Sequence, residues 1–92
     1  MTDQFQRLGR NSALSARGFK VTLHLHGGVE YSDGADDVRV DSEVLVEPSY
    51  AILLYPRSAG LRGMSQSRAD QIVRDIVEAL VFLGYRVEIS IA

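Results

Sequence analysis

The sequence predicts an α+β fold. A single domain carries a four-stranded mixed sheet in the order β-β-β-α-β, with one helix packed on one face. Three observations carry this. In residues 67–91, Ala69, Ile72, Val73, Ile76, Leu80 and Leu83 recur at helical spacing. Gln71, Arg74, Asp75 and Glu78 fall on the other side. The period then changes to two: Tyr85, Val87, Ile89 and Ile91 point one way, Arg86, Glu88 and Ser90 the other. Residues 18–31 and 37–47 also alternate, which marks half-buried strands. Residues 50–55 (YAILLY) are apolar on both faces, as a central strand covered on both sides would be.

Residues 1–17 lack a clear period, and Gly9, Asn11 and Ser12 interrupt any helix. They are expected to form a flexible N-terminal arm, with residues 18–92 as the domain proper. Arg7, Arg10 and Arg17 in the arm would touch phosphate or acidic protein, or remain solvated.

The first strand of the domain sets Phe19, Val21, Leu23, Leu25, Val29 and Tyr31 on one face. Lys20, Thr22, His24, His26 and Glu30 fall on the other. A two-residue turn at Gly27-Gly28 would pair Leu25 with Glu30 and His24 with Tyr31, mixing the faces. The expectation is therefore one long strand bent at the glycines. A type II′ turn at Gly34-Ala35 then leads into the second strand. Its register pairs Tyr31 with Val38, Val29 with Val40, Leu25 with Val44 and Leu23 with Val46. On the opposite face it sets Glu30 against Arg39 and His26 against Glu43.

Pro48-Ser49 breaks the second strand, and Pro56 ends the third. A long Gly- and Ser-rich connection leads to the helix, with Ser67 as N-cap, Asp70 three residues on, and Gly84 at the C-terminal cap. The crossover makes the last strand parallel to the third. Strand order 1-2-3-4 is expected, 4-1-2-3 being the alternative. The helix would cover the face of Phe19, Val21, Leu23, Leu25, Val44, Val46, Val87 and Ile89.

Composition limits the chemistry. Ninety-two residues without cysteine exclude disulfides, thiolate metal sites and cysteine nucleophiles. No apolar run has the length of a membrane span, and the N-terminus lacks the apolar core of a signal peptide. A cytoplasmic location is expected. The net charge is −2, and Glu30, Asp33, Asp36, Asp37, Asp41, Glu43 and Glu47 crowd one segment against Arg39 alone. A general attraction for nucleic acid is therefore absent, and only a local patch could bind it. No Ser/His/Asp triad is suggested, and one helix on one sheet builds a catalytic pocket poorly. No enzyme and no cofactor are expected.

Four groups are candidates for binding. His24 and His26, with Glu43 opposite, form an H-x-H metal set, against the plainer reading of a hydrogen-bonded surface pair. Asp33, Asp36, Asp37 and Asp41 could ligate calcium but lack the EF-hand order, and read as solubilising. Arg57, Arg62 and Arg68 surround the helix entrance and suit an anion, although GxxxxGK[ST] is missing. Leu45, Tyr50, Ile52 and Leu54 would form an apolar patch on the sheet face that the helix leaves open. The leading expectation is a non-enzymatic protein-interaction module, such as a bacterial or bacteriophage accessory, assembly or inhibitor protein. It would dock through that face on another protein or on itself as a homodimer. Anion or nucleic-acid binding through the arginines is the first alternative and His-based metal binding the second.

Overall fold

Alternating side chains carry five consecutive strands into one antiparallel sheet. The computed structural model describes residues 4–46, 51–57 and 59–90. In it, β1 (Phe5–Gly9), β2 (Ser12–Ser15), β3 (Lys20–His24), β4 (Gly28–Ser32) and β5 (Asp37–Val40) pair in the order β1-β2-β3-β4-β5. A second sheet holds β6 (Ser42–Leu45), β7 (Ala51–Leu54) and β8 (Val87–Ile89), in the order β6-β7-β8. A short 3-10 turn (Ala59–Leu61) and the helix α1 (Gln66–Phe82) connect β7 to β8. The class is α+β with one helix. The expected single four-stranded sheet is instead two sheets of five and three strands.

Three local departures account for the difference, one being a break at Asp41 that divides residues 37–47 between β5 and β6 in separate sheets. Within the stretch expected as a flexible arm, residues 5–15 form a hairpin, with Arg7 opposite Ala13 and Ala13 opposite Val21. Its buried positions are Ala13 and Ser15 rather than large branched residues, and a bulge between Arg7 and Gly9 breaks the period. Phe5 fastens it to the rest of the molecule, edge-on to Phe19 at 5.9 Å and stacked on Phe82 at 5.3 Å.

A further departure is at Gly27-Gly28, where the expected long bent strand is instead a β3–β4 hairpin. The loop has three residues, 25–27, not two. Val21 therefore meets Tyr31 and Leu23 meets Val29, with faces unmixed. The Gly27 N–H donates to the His24 carbonyl at 3.0 Å. Gly28 takes φ +85, and a Cβ there would lie 2.7 Å from the Val40 carbonyl oxygen, so glycine is required twice over.

The β4–β5 register is as the sequence indicates: Val29 with Val40, Glu30 with Arg39, Tyr31 with Val38. Asp33 Oδ1 closes the turn by accepting the N–H groups of Ala35 (3.0 Å) and Asp36 (2.8 Å). The remaining expected pairs, Leu25–Val44, Leu23–Val46 and His26–Glu43, do not form, because β3 is already paired on both sides and the chain leaves the large sheet at Asp41. Leu25 and Val46 are accordingly exposed, not covered by the helix. β7 is central in the small sheet, antiparallel to β6 and parallel to β8, as expected. Pro48, Ser49, Tyr50, Glu47 and Ile91 lie outside the described residues.

α1 starts two residues earlier than expected, capped by Ser65, whose Oγ accepts the Arg68 N–H at 3.2 Å; Ser67 is not the cap. It ends at Gly84 as expected, where the Tyr85 N–H returns to the Leu80 carbonyl at 3.0 Å. The helix packs across β2, β3, β4 and β8. Ile72, Ile76, Ala79 and Leu80 meet Val21, Leu23, Val29, Tyr31, Val40, Ile52 and Leu54 in one continuous core. Each fully buried Ile or Leu contributes about 1.5–3 kcal/mol. Because Ala13 belongs to that core, the N-terminal hairpin is part of the domain.

Candidate functional site

The apolar face expected on β7 is turned inward. Ile52 and Leu54 are 1% and 0% exposed and pack in the core. A strand apolar on both faces does not specify which face the helix covers. Here Ile52 aligns with Val44 and Val87, and those three positions face the core. The opposite face carries half-buried Leu45 and Leu53 beside Glu43 and Glu88. Glu43 accepts the Tyr55 hydroxyl at 2.8 Å, which raises the phenol pKa. Tyr50, the fourth residue of the expected patch, lies outside the described residues.

The connection before α1 is more informative. The 3-10 turn lies directly on β5: a Cβ on Gly60 would come within 2.0 Å of the Arg39 carbonyl oxygen, so only glycine permits the approach. Leu61, at 6% exposed, anchors the turn in the core. The pinned loop leaves a cleft of about 500 Å³ against the start of α1 and the end of β8. Leu61, Met64, Ala69 and Ile89 supply its apolar side, Gln66 and Ser90 its neutral polar groups, and Arg57 and Arg62 its charge. Both arginines are exposed, and neither makes a hydrogen bond or ion pair with the described residues. Two of the three arginines expected to act together thus line one cleft.

The third is engaged elsewhere. Arg68 Nη2 donates to Asp33 Oδ2 and, at 2.8 Å, to Asp36 Oδ2, and its Nε donates to Asp36 Oδ2 at 3.2 Å. The Arg68 hydrogen bond and the Asp36 and Ala35 amides hold the Asp33 carboxyl down at about 2, and the two carboxylates raise the guanidinium pKa. Arg68 is therefore neutralised internally and is withdrawn from the arginine group expected to bind an anion. The acidic turn, expected to be solvated or to ligate calcium, is its counter-charge.

This ion pair belongs to a network that sequence reasoning missed. Tyr31 Oη donates toward Asp75 Oδ2 (3.2 Å) and Asp33 Oδ2 (3.3 Å), and Arg17 Nη2 donates to Asp75 Oδ1 at 2.9 Å. Arg17 also covers the Phe19 ring at 5.1 Å, and Arg68 the Tyr31 ring at 5.9 Å. Burial, followed by the Asp75 and Asp33 charges, pushes the Tyr31 phenol up to about 12. Asp75 is 2% exposed, not solvent-facing as expected. The signal was present: Ile72, Asp75, Ile76, Ala79, Leu80 and Leu83 follow the i, i+3, i+4, i+7, i+8, i+11 pattern of one helix face. A phenol held neutral and a carboxylate held by Arg17 fasten the helix to the sheet.

The histidines part company. His24 ends β3 and its Nε2 lies 3.0 Å from Glu30 Oε1; this hydrogen bond lowers the Glu30 pKa. His26 sits in the following turn, where strand alternation has stopped, beside Glu43 in a shallow depression. Among the described residues no three His, Asp or Glu side chains converge to hold a metal ion.

No known family matches this chain, and no match is found among curated proteins or solved structures. Among the described residues no helix is long and apolar enough to cross a membrane.

Proposed function

We propose that this protein is a non-enzymatic interaction module that binds an acidic segment of a partner protein in the cleft beside the start of α1. The observation that carries this reading is the pair of exposed arginines, Arg57 and Arg62, without partners among the described residues, on the rim of a cleft floored by Leu61, Met64, Ala69 and Ile89. Arginine presents a planar donor fork suited to carboxylates. The apolar floor suits side chains flanking those carboxylates, and it offers nothing to a sugar-phosphate backbone. A net charge of −2 also favours an acidic peptide over nucleic acid.

An array of peptides combining Asp or Glu with Leu or Phe tests the proposal, with a labelled single-stranded oligonucleotide as the competing probe. Peptide binding that falls with Arg57→Glu and Arg62→Glu, but not with Arg74→Glu, supports it. Arg74 is exposed on α1 and does not line the cleft. Oligonucleotide binding with a steep salt dependence would replace it by the nucleic-acid reading.

A further inference from the structure

We infer that the outer edge of β8 pairs with the same edge of a second copy of this chain, joining two small sheets across a two-fold axis. β8 ends the order β6-β7-β8, and among the described residues no strand pairs with its other side. The Arg86 carbonyl accepts from the Ile52 N–H at 2.7 Å, and the Ser90 N–H donates to the Leu54 carbonyl at 2.8 Å. By strand alternation, Val87 and Ile89 therefore aim their N–H and C=O groups away from β7, toward the open edge.

The side chains around that edge are self-complementary. An antiparallel pairing centred on Val87 opposes Val87 to its own copy as a hydrogen-bonded pair. Arg86 then stands opposite Glu88 of the second copy, and Glu88 opposite its Arg86, both in the close, non-hydrogen-bonded positions. Tyr85 meets the second copy's Ile89 on the other face. Arg86 and Glu88 are about half exposed, with side chains at 55% and 49%, and at present pair with each other at 3.1 Å within one strand. Exchanging that partner for the same group on a second copy costs no charge and adds backbone hydrogen bonds.

The outer strand β1 of the large sheet is built differently. β1 carries a bulge between Arg7 and Gly9, and Arg7 donates to the Arg10 and Leu83 carbonyls at 2.9 and 3.1 Å. A bulge and an arginine are common means of keeping an edge unpaired. β8 has neither a bulge nor an unbalanced charge.

Sedimentation equilibrium of the full chain from micromolar to millimolar concentration tests the inference. The wild type should form a dimer that dissociates on dilution. Arg86→Glu or Glu88→Arg alone sets like charges opposite each other and should weaken the dimer by about tenfold or more. The double variant Arg86→Glu/Glu88→Arg should restore it. Hydrogen exchange supplies a readout on the unaltered chain: the Val87 and Ile89 amides should gain protection as the dimer forms. A wild type that stays monomeric at millimolar concentration overturns the inference. So does a dimer indifferent to the single reversals, or one that leaves both amides unprotected. These variants leave Arg57 and Arg62 unaltered. Because Ile89 belongs to both the cleft and this edge, peptide binding is measured on the dilute, dissociated chain, which keeps the two tests separate.

Discussion

Replacing Arg17 with Met should destabilise the protein far more than its exposed position suggests. The Asp75 side chain is 3% exposed, and its carboxylate is held by Arg17 at 2.9 Å and the Tyr31 hydroxyl at 3.2 Å. Without Arg17, a buried charge keeps one neutral donor. Breaking a fully buried ion pair in this way costs about 3–5 kcal/mol; with the Arg17 side chain 47% exposed, water recovers part of this, leaving ~2–3 kcal/mol. Met retains the apolar cover that Arg17 gives Phe19. In urea, where a small domain loses roughly 1 kcal/mol per molar, the midpoint should fall by ~2–3 M with the slope unchanged. The partner change Asp75→Leu removes the charge itself, and Tyr31 Oη still has Asp33 as acceptor at 3.3 Å. The double variant Arg17→Met/Asp75→Leu should therefore recover most of the loss, with a coupling of ~2 kcal/mol. The cycle cancels whatever else Arg17 touches. A loss below ~0.5 kcal/mol in Arg17→Met, or a double variant no better than the sum of the singles, would refute the reasoning.

Ile52→Asp should abolish folding, while Ile52→Ala should cost ~3 kcal/mol in chemical denaturation; a folded Ile52→Asp protein by circular dichroism would return that side chain to the surface. Acid should expose the Arg68–Asp33 pair. The Asp33 carboxyl lies at about 2 against an ordinary 3.8, so its contribution is present above pH 4 and lost as the pH falls through about 2. Screening at a partly exposed pair limits it to ~1–2 kcal/mol, and Arg68→Gln should flatten stability over that interval in denaturation measured as a function of pH. Gly60→Ala should cost ~2–3 kcal/mol by forcing the 3-10 turn off the Arg39 carbonyl, and peptide binding should weaken with it; an unchanged melting curve would contradict the close approach.

The features legible in the residues are those set by near neighbours. The stripe of Ile72, Ile76, Leu80 and Leu83 and the stop at Gly84 specify α1, because one turn of helix reads only residues three and four apart. The acidic turn and the facing Val29–Val40, Glu30–Arg39 and Tyr31–Val38 pairs specify β4–β5 in the same way. Arg57 and Arg62 could be joined to one loop because they lie on it. The hairpin at Gly27-Gly28 escaped because the choice between a two- and a three-residue loop is settled by which pairing keeps Val21 and Leu23 under the helix, a distant element. β1 and β2 escaped because Arg7, Ala13 and Ser15 make no apolar alternation; Phe5 becomes informative only when Phe19 and Phe82 stand beside it. The covered face of β7 and the partners of Arg68 and Asp75 are likewise choices among chemically adequate options, made by packing between residues that lie tens of positions apart. A residue's own spacing states what it can bury or bind; which neighbour satisfies it depends on where the helix comes to rest on the sheet.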